Sequence, residues 1–107
     1  MTLQLGLFIT GQTSNSLRAM ENLRRIFQQE LNIPCEIDII DVLEHPEIAE
    51  EEKIVATPTL VKRHPGPVRK IIGDLSDTRK VLLGLGILQN SSAVQFGKEE
   101  GAENERD

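Results

Sequence analysis

The sequence predicts an α/β fold, a mixed four-stranded sheet with three helices in the order βαβαββα. Three observations carry that reading. A helical stripe separates the first two strand-like runs, so those strands should be parallel with a right-handed crossover. The last two runs are joined only by a short Pro/Gly-rich turn, so they should be antiparallel. The third run, Ala56-Thr57-Pro58-Thr59-Leu60-Val61, carries a proline near its front, which suits a strand opening and not a strand interior, because proline donates no ladder hydrogen bond. A length of 107 residues fits one domain with a modest core.

Leu3 to Thr10 is rich in Leu, Phe and Ile and reads as a buried strand ending at Gly11. Gln12 to Ser16 is polar, with Thr13 or Ser14 placed to cap a helix. From Leu17 the apolar residues Leu17, Met20, Leu23, Ile26, Phe27 and Leu31 step by three and four, the spacing of an amphipathic helix, until Asn32-Ile33-Pro34 stops it. Cys35 to Val42 is a second strand. Glu44 to Lys53 is an acidic helix with Pro46 in its first turn and a thin stripe of Ile48, Ala49 and Ile54. The proline-led strand follows at 56–61. Residues 62–67 form a turn, and Val68 to Ile72 is a fourth strand completing a hairpin. Asp74 to Asp77 opens a last helix with apolar Val81, Leu82, Leu85 and Leu88. Beyond Asn90 the chain is polar and acidic, so the expectation is a domain over 1–90 and a disordered tail over 91–107.

The net charge of −5 is uneven: residues 97–107 hold −3 of it, leaving about −2 on the rest. Nucleic-acid binding needs clustered Lys and Arg, and stacking needs aromatics; three Phe with no Tyr or Trp supply little. No apolar run approaches membrane-spanning length, and Met1-Thr2-Leu3-Gln4-Leu5 lacks the pattern of a signal peptide, so a cytoplasmic protein with no membrane partner is expected. Cys35 is the single cysteine, which excludes an intramolecular disulfide and a Cys-based metal site. His45 and His64 sit apart in polar turns and read as surface residues. Gly84-x-Gly86 lacks the context of a phosphate loop. Neither metal nor cofactor is expected.

The Thr57-Pro58-Thr59 corner looks like that of thioredoxin-like proteins, where a cis X-Pro bond opens a strand beside the redox or binding site. Here Thr13-x-x-Ser16 stands where a thioredoxin carries Cys-x-x-Cys. A hydroxyl pair cannot cycle through a disulfide, so an oxidoreductase is rejected and helix capping is the expected role. More of the chain then resembles the KaiB family. The matching pieces are Gly11-x-Thr13-x-x-Ser16-x-Arg18-Ala19, Ile40-Asp41-Val42, Ala49-Glu50, the block Lys53-Ile54-Val55-Ala56-Thr57-Pro58-Thr59-Leu60, and Pro67-Val68-Arg69-Lys70-Ile71-Ile72-Gly73-Asp74-Leu75-Ser76. The resemblance spans about Leu3 to Leu88.

That resemblance implies a non-enzymatic regulator in a bacterial circadian or clock-like system, binding the ring-shaped ATPase KaiC, sequestering KaiA and displacing a sensor histidine kinase. It also implies metamorphism: a resting homo-oligomer, usually tetrameric, with the order βαββααβ, and a thioredoxin-like form that binds KaiC. KaiB-like proteins outside cyanobacteria are associated with stress adaptation. The alternative reading is a stand-alone thioredoxin-like module tuning a histidine kinase or stress pathway without a clock. The resemblance singles out Arg18, Arg69 and Lys70 as KaiC contacts, with Arg69 and Lys70 on opposite faces of the fourth strand. Leu3 and Gln89 stand where clock proteins carry tyrosines, and Glu36 and Asp38 where those proteins are neutral or basic; these departures count against KaiA as a partner and against the tetramer interface, and touch the KaiC-facing surface less. The residues carry their own sign of bistability. Gly84 and Gly86, read inside the last helix, each weaken it by about 1 kcal/mol relative to Ala. Pro58 opens the half of the chain that would repack. Two packings within a few kcal/mol fit that pattern.

Overall fold

The computed structural model describes residues 2–87, and the expected tail over 91–107 and the helical position Leu88 lie outside them. The elements are β1 (Leu3–Ile9), α1 (Ser14–Arg24) running into a π-helical segment (Arg25–Glu30), β2 (Cys35–Asp41), α2 (Pro46–Glu51), β3 (Thr59–His64), β4 (Arg69–Ile72) and α3 (Thr78–Gly84). The sheet order is β2-β1-β3-β4, with β1·β2 parallel and both β1·β3 and β3·β4 antiparallel. This is the predicted βαβαββα arrangement; the alternative βαββααβ order is not the one adopted.

β1 is central, which explains its nearly unbroken apolar sequence. Leu3, Leu5, Leu7 and Ile9 point to one face and form the core with Ala19, Leu23, Ile26, Phe27, Leu60, Leu75, Val81 and Leu85. Phe8 and Val61, on the other face, are also fully buried. Burying each large apolar side chain contributes about 1.5–3 kcal/mol, so this one cluster dominates the fold's stability.

The first helix needs two corrections. Leu17 and Leu31 are exposed, at 44% and 37%, while Ser16 and Ala19 are buried in the stripe. Its second half is π-helical, ending where Leu31 N–H donates to Ile26 O, five residues back. Ile26 and Phe27, three and four positions after Leu23, both reach the core, as the apolar stripe expects.

The hairpin is shifted in register from the sequence reading. β3 runs through Lys62, Arg63 and His64, so the turn is 65–68 and Val68 precedes β4. Lys62 is buried among the core-facing positions because its ammonium donates to Pro65 O. Pro58 immediately precedes β3, its bond to Thr57 is cis, and its carbonyl accepts from Gly73 N–H at 2.9 Å. His64–Pro65 and Gly66–Pro67 are cis as well.

The last helix is shorter than expected. Leu85 is its C-cap and Gly86, at φ 77°, lies past its end; Gly86 N–H donates to Leu83 O and Ile87 N–H to Leu82 O. That pair of bonds is a Schellman motif, whose left-handed position glycine fills without a Cβ penalty. Gly86 therefore ends α3 and does not weaken it from within. Gly84 is the final helical residue, where an added Cβ would stand 2.7 Å from Ile71 Cδ1. Its missing side chain lets α3 lie close on β4.

Candidate partner-binding surface

The polar loop before α1 folds around its own hydroxyls. Thr13 is the N-cap, its Oγ1 accepting from Ser16 N–H at 3.2 Å and donating to Ser16 Oγ at 2.8 Å. Ser16 Oγ in turn accepts from Thr10 N–H at 3.2 Å, and Ser16 is 1% exposed. The Thr13-x-x-Ser16 pair thus satisfies backbone donors at a helix start and a strand end, the capping role expected of it. Beside it the Thr10 and Thr57 hydroxyls lie 2.5 Å apart and tie β1 to the proline corner. An open, mostly apolar groove of about 480 Å³ runs past this corner, lined by Thr10, Val42, Pro46, Ala49, Ile54 and Thr57.

Arg18 projects from α1 with its side chain 55% exposed. Its Nε is 3.4 Å from Asp74 Oδ2, and its guanidinium also donates to Asn15 Oδ1. Asp74 opens the loop after β4. It accepts Ser76 N–H at 3.1 Å on Oδ1, and its backbone carbonyl accepts from Asn22 Nδ2 at 2.8 Å. Ser76, through its hydroxyl and its N–H, holds the Asp74 carboxyl below the usual carboxylate range, and Arg18 adds to that. The next residue, Leu75, is buried at φ 64°, a left-handed conformation unusual for a bulky side chain. The α1 grip on Asp74 and the core burial of Leu75 together hold that turn.

Arg69 and Lys70 occupy opposite faces of β4, as read from the sequence. Arg69 shares the α3 face with Ile71 and lies beside Gly86. Among the described residues no carboxylate pairs with it. Lys70, on the other face, donates from Nζ to Glu52 O. No hydrogen bond or ion pair among the described residues joins Arg18 to either of them. Arg18 instead pairs with Asp74, two residues past the end of β4.

Sequence reasoning missed Arg63, having placed it in a turn. Its guanidinium is 2.7 Å from Glu52 Oε2 and 3.6 Å from Asp38 Oδ2, and lies over the Phe8 ring at 5.9 Å. A Cβ on Gly6 would meet that guanidinium at 3.0 Å, so Gly6 is the residue that admits it. A glycine inside an apolar strand is the signal that could have found this close approach. The Glu52 side chain and carbonyl, held by Arg63 and Lys70, fix the end of α2 over the sheet.

Cys35 is half-buried at the start of β2, and burial pushes its thiol up. Among the described residues no three His, Cys, Asp or Glu side chains gather as a metal site, and no helix is long and apolar enough to cross a membrane.

The sheet order, the proline corner that opens β3 and the hydroxyl-capped start of α1 define a thioredoxin-like domain. Solved structures agree. Mitochondrial thioredoxin 3 from Saccharomyces cerevisiae superposes with a TM-score of 0.63 at 24% identity, covering 80% of this chain and 78% of that one. The N-terminal domain of SasA from Synechococcus elongatus gives 0.60 at 25% identity over 85% and 90%. The KaiB domain model matches residues 6–87. The circadian clock oscillator protein KaiB of Cyanothece sp. is 52% identical over 86% of this chain and 88% of that protein; that of Gloeothece citriformis is 54% identical over 81% and 82%. The chain belongs to the KaiB family.

Proposed function

We propose that this chain is a non-enzymatic regulator of a bacterial circadian or clock-like stress-adaptation system that docks on a KaiC-type ATPase ring from the cytoplasm. The observation that supports this most is the family match over residues 6–87, with relatives named circadian clock oscillator proteins. Arg18 and Arg69 are the proposed contacts, with Lys70 flanking them. Arg69 suits the role because its charge has no carboxylate partner among the described residues. Arg18 is pre-oriented by Asp74, so it loses less side-chain freedom on docking. In this reading residues 1–90 are the binding domain, 91–107 an acidic tail, and the resting state a homo-oligomer. Glu36 and Asp38 on the β2 edge count against KaiA.

The test is co-migration with the cognate KaiC on a sizing column over hours, in each nucleotide state. Wild type is expected to co-elute, and Arg18→Ala and Arg69→Ala each to lower the bound fraction. No complex in any nucleotide state overturns the proposal.

The likeness to the SasA domain favours a second reading, a stand-alone module modulating a histidine kinase. It predicts no KaiC complex and a change in autophosphorylation of a kinase encoded nearby.

A further inference from the structure

Charge is divided by position along the chain. Residues 1–61 hold four Lys and Arg against ten Asp and Glu, residues 62–87 hold six against Asp74 and Asp77, and residues 88–107 hold two against five. The middle segment, the end of β3 with β4 and α3, is therefore the one positive part of an acidic protein, at +4 between −6 and −3. We propose that the acidic residues 99–107 dock back on this segment within the same chain, over Arg69 and the neighbouring Lys62 on the α3 side of the sheet. The contact rests on this chain's own charges and stands apart from the ring-docking proposal.

Lys62 and Arg69 stand directly opposite each other in the β3·β4 ladder. Both share the face of Leu60, which packs in the core with Val81 and Leu85, and of Ile71, which meets Gly84. Like charges placed opposite in this way repel. Lys62 is 5% exposed, and its ammonium, with three donors, meets one acceptor among the described residues, the Pro65 carbonyl. The Arg69 guanidinium lies beside Gly86, where an added Cβ would be 3.6 Å from it. Among the described residues no carboxylate pairs with either cation.

The described carboxylates around β4 are engaged elsewhere. Glu52 and Asp38 meet Arg63 on the opposite face, Asp74 meets Arg18 past the end of β4, and Asp77 accepts Lys80 N–H at the start of α3. Gly86, the residue beside Arg69, is followed by Ile87, the last described residue, so residue 88 begins next to the cation pair. Ten residues without charge, 88–97, then lead to Glu99, Glu100, Glu103, Glu105 and Asp107, with Lys98 and Arg106 among them. Ten residues span up to about 35 Å, ample to turn back on β4. A tether of that size holds the acids at an effective concentration on the order of millimolar, so ion pairs too weak to hold a free peptide are enough. Docked there, the tail covers Arg69, and an acidic partner surface has to displace it.

Paramagnetic relaxation enhancement on the nitrogen-15-labelled full chain tests this, with a nitroxide on Asn104→Cys in a Cys35→Ser background. At low salt the amide signals of Lys62, Arg69 and Gly86 are expected to weaken at least twofold more than in the same labelled chain carrying Glu99→Gln, Glu100→Gln, Glu103→Gln and Glu105→Gln. The excess should be independent of protein concentration and fade in high salt. Arg69→Gln should remove it at Lys62 and Gly86, with unchanged β1 amide shifts showing that the fold is kept. A tail of any charge starts beside Gly86, so broadening that the neutralised tail leaves unaltered overturns the inference. Broadening that grows with concentration, the mark of a contact between copies, overturns it too, as does broadening spread equally over Glu36 and Asp38 of β2. Loss of ring co-migration with this broadening intact would strike the proposed function and leave the tail contact standing.

Discussion

Replacing Gly86 with alanine separates two accounts of the last helix by sign. If α3 continued through residue 88, Gly86 would be an interior glycine, and alanine would stabilise the protein by about 1 kcal/mol. In the structure Gly86 is the left-handed residue of a Schellman motif at φ 77°. An L-residue there costs about 1–2 kcal/mol, offset in part by about 0.4–1 kcal/mol from a less flexible unfolded chain. The added Cβ meets the Arg69 guanidinium no closer than 3.6 Å, ordinary contact, so no steric cost adds to the conformational one. The net expectation is a loss of about 1 kcal/mol. Urea unfolding followed by far-UV circular dichroism reads it: with a slope near 1.5 kcal/mol per molar, the midpoint falls by roughly 0.7 M. An unchanged slope shows that the effect is on stability and not on the compactness of either state. A midpoint that rises refutes the helix end described here.

Lys53 provides the converse test. It holds the same left-handed position after α2, at φ 58°, with Lys53 N–H on Glu50 O and Ile54 N–H on Ala49 O, so Lys53→Gly should raise stability by about 1 kcal/mol in the same urea assay. Gly84→Ala alone forces Ile71 to move. Combined with Ile71→Ala, which removes both the Cδ1 and the Cγ1 that the new Cβ would meet, it should show a favourable coupling of about 0.5 kcal/mol or more in a double-mutant cycle. Ser16→Ala removes the buried acceptor of Thr10 N–H and should cost about 1–2 kcal/mol by thermal unfolding. Asp74 has a lowered folded-state pKa, so its contribution is present above the ordinary carboxylate pKa and is lost as pH falls through the folded value. Asp74→Asn should therefore flatten the acid limb of a melting-temperature profile, leaving a smaller difference from wild type at low pH than at neutral pH.

The order and direction of the strands were legible because they rest on periodicity and connection length, which are local. The capping role of Thr13 and Ser16 was legible for the same reason. What escaped the sequence depends on three-dimensional partners. The boundary of β3 was misplaced because Lys62-Arg63-His64 looks polar, yet the buried Lys62 finds the Pro65 carbonyl and Arg63 finds Glu52, Asp38 and the space above Gly6. The π-helical segment was invisible because Leu23, Ile26 and Phe27 keep the steps of three and four of a regular helix, so the wider turn leaves no mark in the apolar pattern. The part of the site formed by Asp74 was invisible too, since Arg18 and Asp74 are 56 positions apart and only the closing of α1 over the β4–α3 loop brings them together.

The two glycines carry the sharpest lesson about reading bistability from propensity. Counted as helix residues, Gly84 and Gly86 make α3 look about 2 kcal/mol weak and ready to be recruited elsewhere. In this packing Gly84 sits where a Cβ would press on Ile71, and Gly86 sits where only a residue tolerant of φ 77° ends the helix without strain. Both are fitted to the thioredoxin-like arrangement, so their presence argues for this state and not for its instability. A competing arrangement that draws 81–88 into a strand would have to give up the Schellman motif and the close α3–β4 contact together, while keeping glycines that weaken strands. Any second packing of this chain must therefore recover its free energy outside the glycines.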